Sequence, residues 1–268
     1  MLAIAVLAAC QSKTDTPVSV LPDMDQVTIT ECPATPLSGR MSVLNGDLPV
    51  MPVSIFDRID MKSPGDTGWG NGEITLRGQI SQQRETAGRR LRRLELTDMV
   101  TGSGHGDLTM PATYELRFKD QNRVIGRVVL PVDGDHAGME MIVGPVLNDW
   151  MLPAKMDNGS GQSYSQASAK MRVGNSKLDT QVHSRVEGTS VYRGRLVLVV
   201  RHAYHIEGKG VQKGFFGTGF GYSCIDQVTS VPLYSFDQRH YTLVIEGKAS
   251  EIKQRFEMAV EVPLKTAS

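Results

Sequence analysis

The sequence predicts an antiparallel all-β protein. Three observations carry that prediction: apolar residues recur with period two in segment after segment, clusters of Gly, Asn, Asp and Pro separate those segments, and the 3.6-residue period of an amphipathic helix is weak everywhere. The expected architecture is an antiparallel β-sandwich with little helix, built either as one large sandwich or as two related β-modules.

The clearest strand is "VYRGRLVLVVRHAYHIEG" (191–208). Leu196, Leu198, Val200, His202, Tyr204 and Ile206 fall on one face, and Val197, Val199, Arg201, Ala203 and His205 on the other. A centre that is apolar on both sides belongs inside a fold. "RRLELTD" (92–98), "TYELRFKD" (113–120), "RVIGRVVLPV" (123–132), "HYTLVIEGK" (240–248) and "RFEMAVEVPL" (255–264) alternate in the same way. "SQASAKMR" (165–172) is the one segment whose composition predicts a short helix. A hairpin plan also recurs. It runs from Tyr114 to Leu130-Pro131 and again from Tyr241 to Val262-Pro263, each time after an Arg-bearing strand. This divides the chain into a first β-module at 27–133, a Gly/Ser/Asn-rich connection at 134–175 and a second β-module at 176–268. The alternative is that any two hairpins of an all-β protein look alike.

The N-terminus has a different character. Leu2 to Ala9 are uniformly apolar and the run stops at Cys10, after which "QSKTDTPVS" is polar. Eight apolar residues are too few to span a bilayer, which takes about 20 in a helix, but they have the size of a secretory leader. Leu7-Ala8-Ala9-Cys10 resembles the lipobox of bacterial lipoproteins. The resemblance implies a signal peptide at 1–9, cleavage before Cys10 and acylation of its thiol, palmitate included. Gln11 is not the aspartate that retains such proteins at the inner membrane, so the resemblance implies an outer-membrane anchor facing the periplasm. Several acyl chains on one N-terminus hold a protein stably where a single chain would not. Residues 10–26 then form the lipidated end and a flexible tether with a reach of roughly 20 Å.

Composition narrows the partners. Lys plus Arg and Asp plus Glu are 29 each, which lacks the basic excess of a nucleic-acid binder. With Cys10 committed to lipid, Cys32 and Cys224 remain as an even pair, and in an oxidising compartment that argues for a disulfide. Two separately buried thiols are the alternative. Zinc is disfavoured because two lone cysteines lack the close paired spacing of a structural site.

Two Gly-rich stretches are candidate sites. "KGVQKGFFGTGFGYSC" (209–224) interleaves glycines with Phe215, Phe216, Phe220 and Tyr222. It leads into a strand-like segment, whereas a phosphate cradle needs a helix N-terminus. It reads as a loop, with an extended hairpin as the alternative, and its aromatics are candidates for contact with a protein partner or a second copy of the chain. "PGDTGWGNGE" (64–73) carries Trp69, whose indole offers a flat face for stacking on a sugar ring. Arg89, Arg90, Arg92 and Arg93 form the marked basic run and are candidates for an anionic surface, with a solvated strand face as the plainer reading.

No metal or cofactor site is expected. His202 and His205 point to opposite faces of their strand, and "DGDHAG" (133–138) has Gly144 where a calcium loop needs glutamate. G-x-S-x-G, H-E-x-x-H and a supported S-x-x-K are missing, so catalysis is not the expectation. The reading that follows is an envelope lipoprotein acting as a structural or assembly component, pairing with a partner through the 209–222 loop or an edge strand. A glycan- or small-ligand-binding module centred on Trp69 or the 215–222 aromatics is the alternative, and a hydrolase with scattered carboxylates is the third, less favoured reading.

Overall fold

A computed structural model describes residues 22–38, 43–44, 46–86, 88–103, 110–119, 124–130, 163–173, 176–209, 215–245 and 248–262. Cys10 and its lipobox, and Asp133, Asp135 and His136, lie outside the described residues. The period-two segments form β1 (Leu48–Lys62), β2 (Gly70–Thr86), β3 (Arg89–Ser103), β4 (Ala112–Lys119), β5 (Val124–Leu130), β6 (Ser163–Val173), β7 (Ser176–Tyr192), β8 (Arg195–Lys209), β9 (Phe215–Asp226), β10 (Pro232–Ile245) and β11 (Lys248–Val260).

These strands make one sheet in the order β5-β4-β3-β2-β1-β11-β10-β9-β8-β7-β6. It consists of two meanders, β1–β5 and β6–β11, joined where β1 pairs antiparallel with β11 from Val53↔Val260 to Lys62↔Glu251. The expectation of antiparallel β structure with little helix holds, since a single 3-10 turn at Met24–Gln26 is the one helical element among the described residues. The expected two-layer sandwich is replaced by a single curled sheet. Strand twist accumulates across a sheet, and open sheets of more than about ten strands curl rather than lie flat. The curl encloses one face, so burial does not require a second sheet.

Three local expectations are corrected. Residues 165–172 are not helical: they lie in β6, where pairing with β7 overrides the intrinsic helix preference of Ala, Lys and Met. Residues 191–208 are not one strand but are broken by a two-residue turn at Arg193 (φ 46°) and Gly194 (φ 79°), with Tyr192 opposite Arg195. Positive φ at both central positions is what a tight hairpin requires. The segment Phe215–Tyr222 is not a loop; it belongs to β9, hydrogen-bonded to β8 on one side and β10 on the other.

The enclosed inner face carries the apolar core, with Ile55, Ile74, Leu76, Leu94 and Phe256 fully buried. Each such side chain contributes about 1.5–3 kcal/mol relative to exposure. The outer face is covered in part by the N-terminal strap, residues 22–38. Arg201 Nη1 donates to the carbonyl oxygens of Met24 (2.9 Å) and Val27, and Thr35 and Thr189 exchange backbone hydrogen bonds of 2.8 and 2.9 Å. Cys32 and Cys224 are joined in a disulfide across 192 residues. Closing so long a loop stabilises by about 4–5 kcal/mol in the chain-entropy account.

Candidate functional site

The outer face left open beyond the strap is a grid set by strand register. Phe220, Gln238, Arg255 and Arg58 lie side by side on β9, β10, β11 and β1, and one step along the strands lie Thr218, His240, Lys253 and Asp60. These residues line a cleft of about 570 Å³, with Pro22 and Gln26 of the strap contributing to its wall. That volume falls within the range of small-molecule sites. Trp69, at the end of the β1–β2 connection, is 39% exposed and meets the cleft wall through Lys253. The Lys253 ammonium sits 4.3 Å from its ring centroid. Arg58 donates to Asp60 at 3.2 Å and to Glu73 at 3.2 Å.

The inner face of the same strands holds a buried polar chain. His202 Nε2 and Asp237 Oδ1 are 2.6 Å apart, and Arg239 Nη2 donates to Asp237 Oδ2 at 3.0 Å. Arg239 Nε donates to the Tyr204 hydroxyl, Tyr241 donates to Gln254 Oε1 at 3.3 Å, and Gln254 Nε2 donates to Asp57 Oδ1 at 2.8 Å. Burial opposes ionisation of Asp237, but His202 and Arg239 outweigh it and hold its carboxyl below the usual range. Asp57 has no such cation against it. Burial pushes its carboxyl up to about 7, against the pull of the Gln254 hydrogen bond and the more distant Arg239. Asp57 Oδ2 has no hydrogen-bond partner among the described residues.

Glycines make room for this chain. Gly219 lies across from Tyr204 and Arg239, and Gly221 across from His202 and Asp237. A methyl group at position 219 would fall inside the Tyr204 ring, and one at 221 would meet the Phe236 carbonyl and the Asp237 carboxylate. The alternating glycines of β9 are therefore a lane under large inner side chains.

The other predicted residues take distinct places. Tyr222 is buried under the strap, its hydroxyl accepting from the backbone N–H groups of Thr30 and Glu31 at 3.4 Å each. Phe220 is half-buried at the cleft, Phe216 is exposed on the same face, and the Phe215 side chain lies outside the described residues. The arginine run divides between faces. Arg92 is buried, donating to Gln82 Oε1 (2.6 Å) and Ser230 Oγ (3.0 Å) over the Phe118 ring, and burial lowers its pKa to about 9. Arg90 pairs with Asp47 at 2.7 Å, Arg93 with Glu115 at 2.6 Å, and Arg89 is exposed. His202 is buried inside while His205 is on the outer face, and no group of three or more metal-ligating side chains occurs among the described residues.

Sequence reasoning missed Arg58, Gln238, Lys253 and Arg255 as lining residues. The signal was present in "SFDQRHY" (235–241), where consecutive polar residues inside a strand give both faces polar side chains.

No family model and no curated protein matches the chain. Among solved structures it is similar to DynF from the dynemicin biosynthesis pathway of Micromonospora chersina (10% identity, 88% of this chain and 92% of that one, TM-score 0.25). A DUF1329 family protein from Desulfovibrio piger matches at 8% identity over 81% and 88% of the two chains, with a TM-score of 0.20. A structure described as an outer membrane lipoprotein-sorting protein domain from Vibrio parahaemolyticus matches at 9% identity over 80% and 87%, with a TM-score of 0.18. With every TM-score at 0.25 or below, the functional argument rests on the chain's own residues.

Proposed function

We propose that this chain is an envelope-anchored binding protein whose outer-face cleft takes a polar, ring-bearing ligand of the glycan class. The observation that carries the reading is convergence: Phe220 lines a cleft walled by Arg58, Gln238, Lys253 and Arg255, and Trp69, far away in sequence, packs against that wall on the Lys253 ammonium. Aromatic rings take the apolar face of a sugar, while planar guanidinium and amide groups bond its hydroxyls. The Cys32–Cys224 disulfide suits an oxidising compartment, and the lipobox at Cys10 supports an outer-membrane anchor facing the periplasm. The strap that forms the cleft wall is the segment through which such an anchor would leave the fold.

The test is ligand retention on immobilised cell-wall and lipopolysaccharide glycans by the wild type and by Trp69→Ala and Phe220→Ala. The expected result is at least about a 10-fold loss of affinity with an unchanged melting temperature. A parallel fall in melting temperature would assign both rings to packing and end the proposal. The scaffold reading keeps one supporting observation, since Phe216 and Val244 are exposed on the outer face near the far end of β9 and β10. A large assembly of fixed stoichiometry, seen as native mass in gentle detergent extracts, would revive it.

A further inference from the structure

The cleft is not electrically neutral. Arg58, Arg239, Lys253 and Arg255 line it together with His240, against Asp60 as the one carboxylate of the lining; Arg239 is bonded to Asp237 and the Tyr204 hydroxyl on the inner face, which leaves three cations on the outer face. The three cations are not equally engaged. Arg58 is held by two carboxylates, Asp60 and Glu73. Arg255 meets Glu257 at 3.5 Å, and that carboxylate already accepts the Tyr234 hydroxyl at 2.9 Å. Lys253 has no carboxylate within ion-pair distance among the described residues, although Asp60 is its cross-strand neighbour. Its ammonium rests instead over the Trp69 ring.

From this arrangement we infer that the ligand carries an anionic group, phosphate or carboxylate, on its ring, and that Lys253 and Arg255 receive it. The inference rests on the glycan reading above and narrows it to acidic sugars. Lys253 and Arg255 are two residues apart on β11 and so share a face, about 7 Å apart along the strand. One tetrahedral or planar anion can bridge them. Arg255 offers the forked geometry that suits such anions, and Lys253 a mobile point charge. Holding the ammonium over an indole keeps it poised without a competing carboxylate, because a ring quadrupole attracts a cation more weakly than a full negative charge does. The same indole then lies beside the bound anion, where the sugar ring that carries it can pack.

Calorimetric titration of the full chain at fixed ionic strength separates the parts of this claim, with glucose, glucuronate, glucose 6-phosphate and inorganic phosphate as probes. Glucuronate and glucose 6-phosphate are expected to bind at least about 10-fold tighter than glucose. Lys253→Gln is expected to bring both to within about 3-fold of that variant's own affinity for glucose, and Lys253→Arg to restore most of the difference. Equal affinities for glucose and the acidic sugars would overturn the anionic inference and leave the glycan cleft standing. Inorganic phosphate binding as tightly as glucose 6-phosphate would overturn the claim that the anion is read on a ring. No sugar binding at all in the wild type would overturn both readings.

Discussion

On the inner face of β8–β11, His202, Asp237, Arg239 and Gln254 belong to one buried hydrogen-bonded chain, while on the outer face of the same strands Gln238, His240, Lys253 and Arg255 border an open cleft whose lining also reaches Arg239 and Gln254. The residue types are nearly the same. Arg239 is 3% exposed and bonded through three nitrogens, whereas Arg255 is 55% exposed, lies over the Phe236 ring and has one long ion-pair contact. Polarity alone therefore does not mark the site; unspent hydrogen-bonding capacity does. A buried polar chain whose members are mostly bonded to one another has little left for a ligand and serves the fold, because each member would be costly to leave unpaired.

The strongest test of this contrast removes the same side chain from each face. Arg239→Met strips the buried Asp237 and the Tyr204 hydroxyl of a partner and is expected to cost about 3–5 kcal/mol. Arg255→Met removes an exposed, weakly paired cation and is expected to cost within about 0.5 kcal/mol. Urea unfolding midpoints of the two variants measure the difference directly. Equal shifts would mean that the inner chain is not the structural element described here.

The sequence shows which residues share a face but not which strands are neighbours, and that divides what was legible from what was not. The alternation in 196–206 gave β8 its faces, and counting cysteines paired Cys32 with Cys224. The β1–β11 junction was hidden, because period two carries no information about a partner two hundred residues away. Without that junction the strands look like two modules, and the cleft it creates cannot be foreseen. Trp69 and Phe220 were each visible, but their convergence depends on the register of β1, β11, β10 and β9. Arg92 was read as part of a charged run because a sequence does not say that Gln82 and Ser230 wait beneath it. β6 reads as helix in sequence because Ala, Lys and Met favour helix, whereas the cross-strand partners that decide the matter are in β7.

Acidity offers a second, smaller handle on the inner face. Asp57 keeps its proton in the folded chain up to about pH 7, whereas the unfolded carboxyl releases it near 3.8. Between those values the native state binds the extra proton, so stability falls as pH rises through that window, and the full penalty is present above it. The penalty is at most ~4 kcal/mol for a shift of this size. Asp57→Asn keeps an oxygen for the Gln254 amide and removes the charge. It is expected to match the wild type near pH 4 and to exceed it by a few kcal/mol at pH 8. Parallel stability curves from pH 4 to pH 8 would show that Asp57 is not held neutral by burial.

The smallest effect is also the most diagnostic, because its sign is at stake. Glycine to alanine in a strand ordinarily stabilises by about 0.4–1 kcal/mol through the unfolded chain wherever the backbone tolerates a side chain. The φ of Gly219 is not positive, so backbone conformation alone does not forbid alanine there. The obstacle is the Tyr204 ring, which is buried and tied by its hydroxyl to Arg239, so it cannot swing aside. Gly219→Ala is therefore expected to destabilise by about 1–3 kcal/mol, the cost of overpacking a filled site. Thr218→Ala, one residue away on the open face, should stay within about 0.5 kcal/mol. If Gly219→Ala instead stabilised the protein, the glycines of β9 would not be a lane for the inner tyrosines. An outcome of the predicted sign would tie the most unusual stretch of the sequence to the face that holds the fold, leaving Phe220 on its other side to face the ligand.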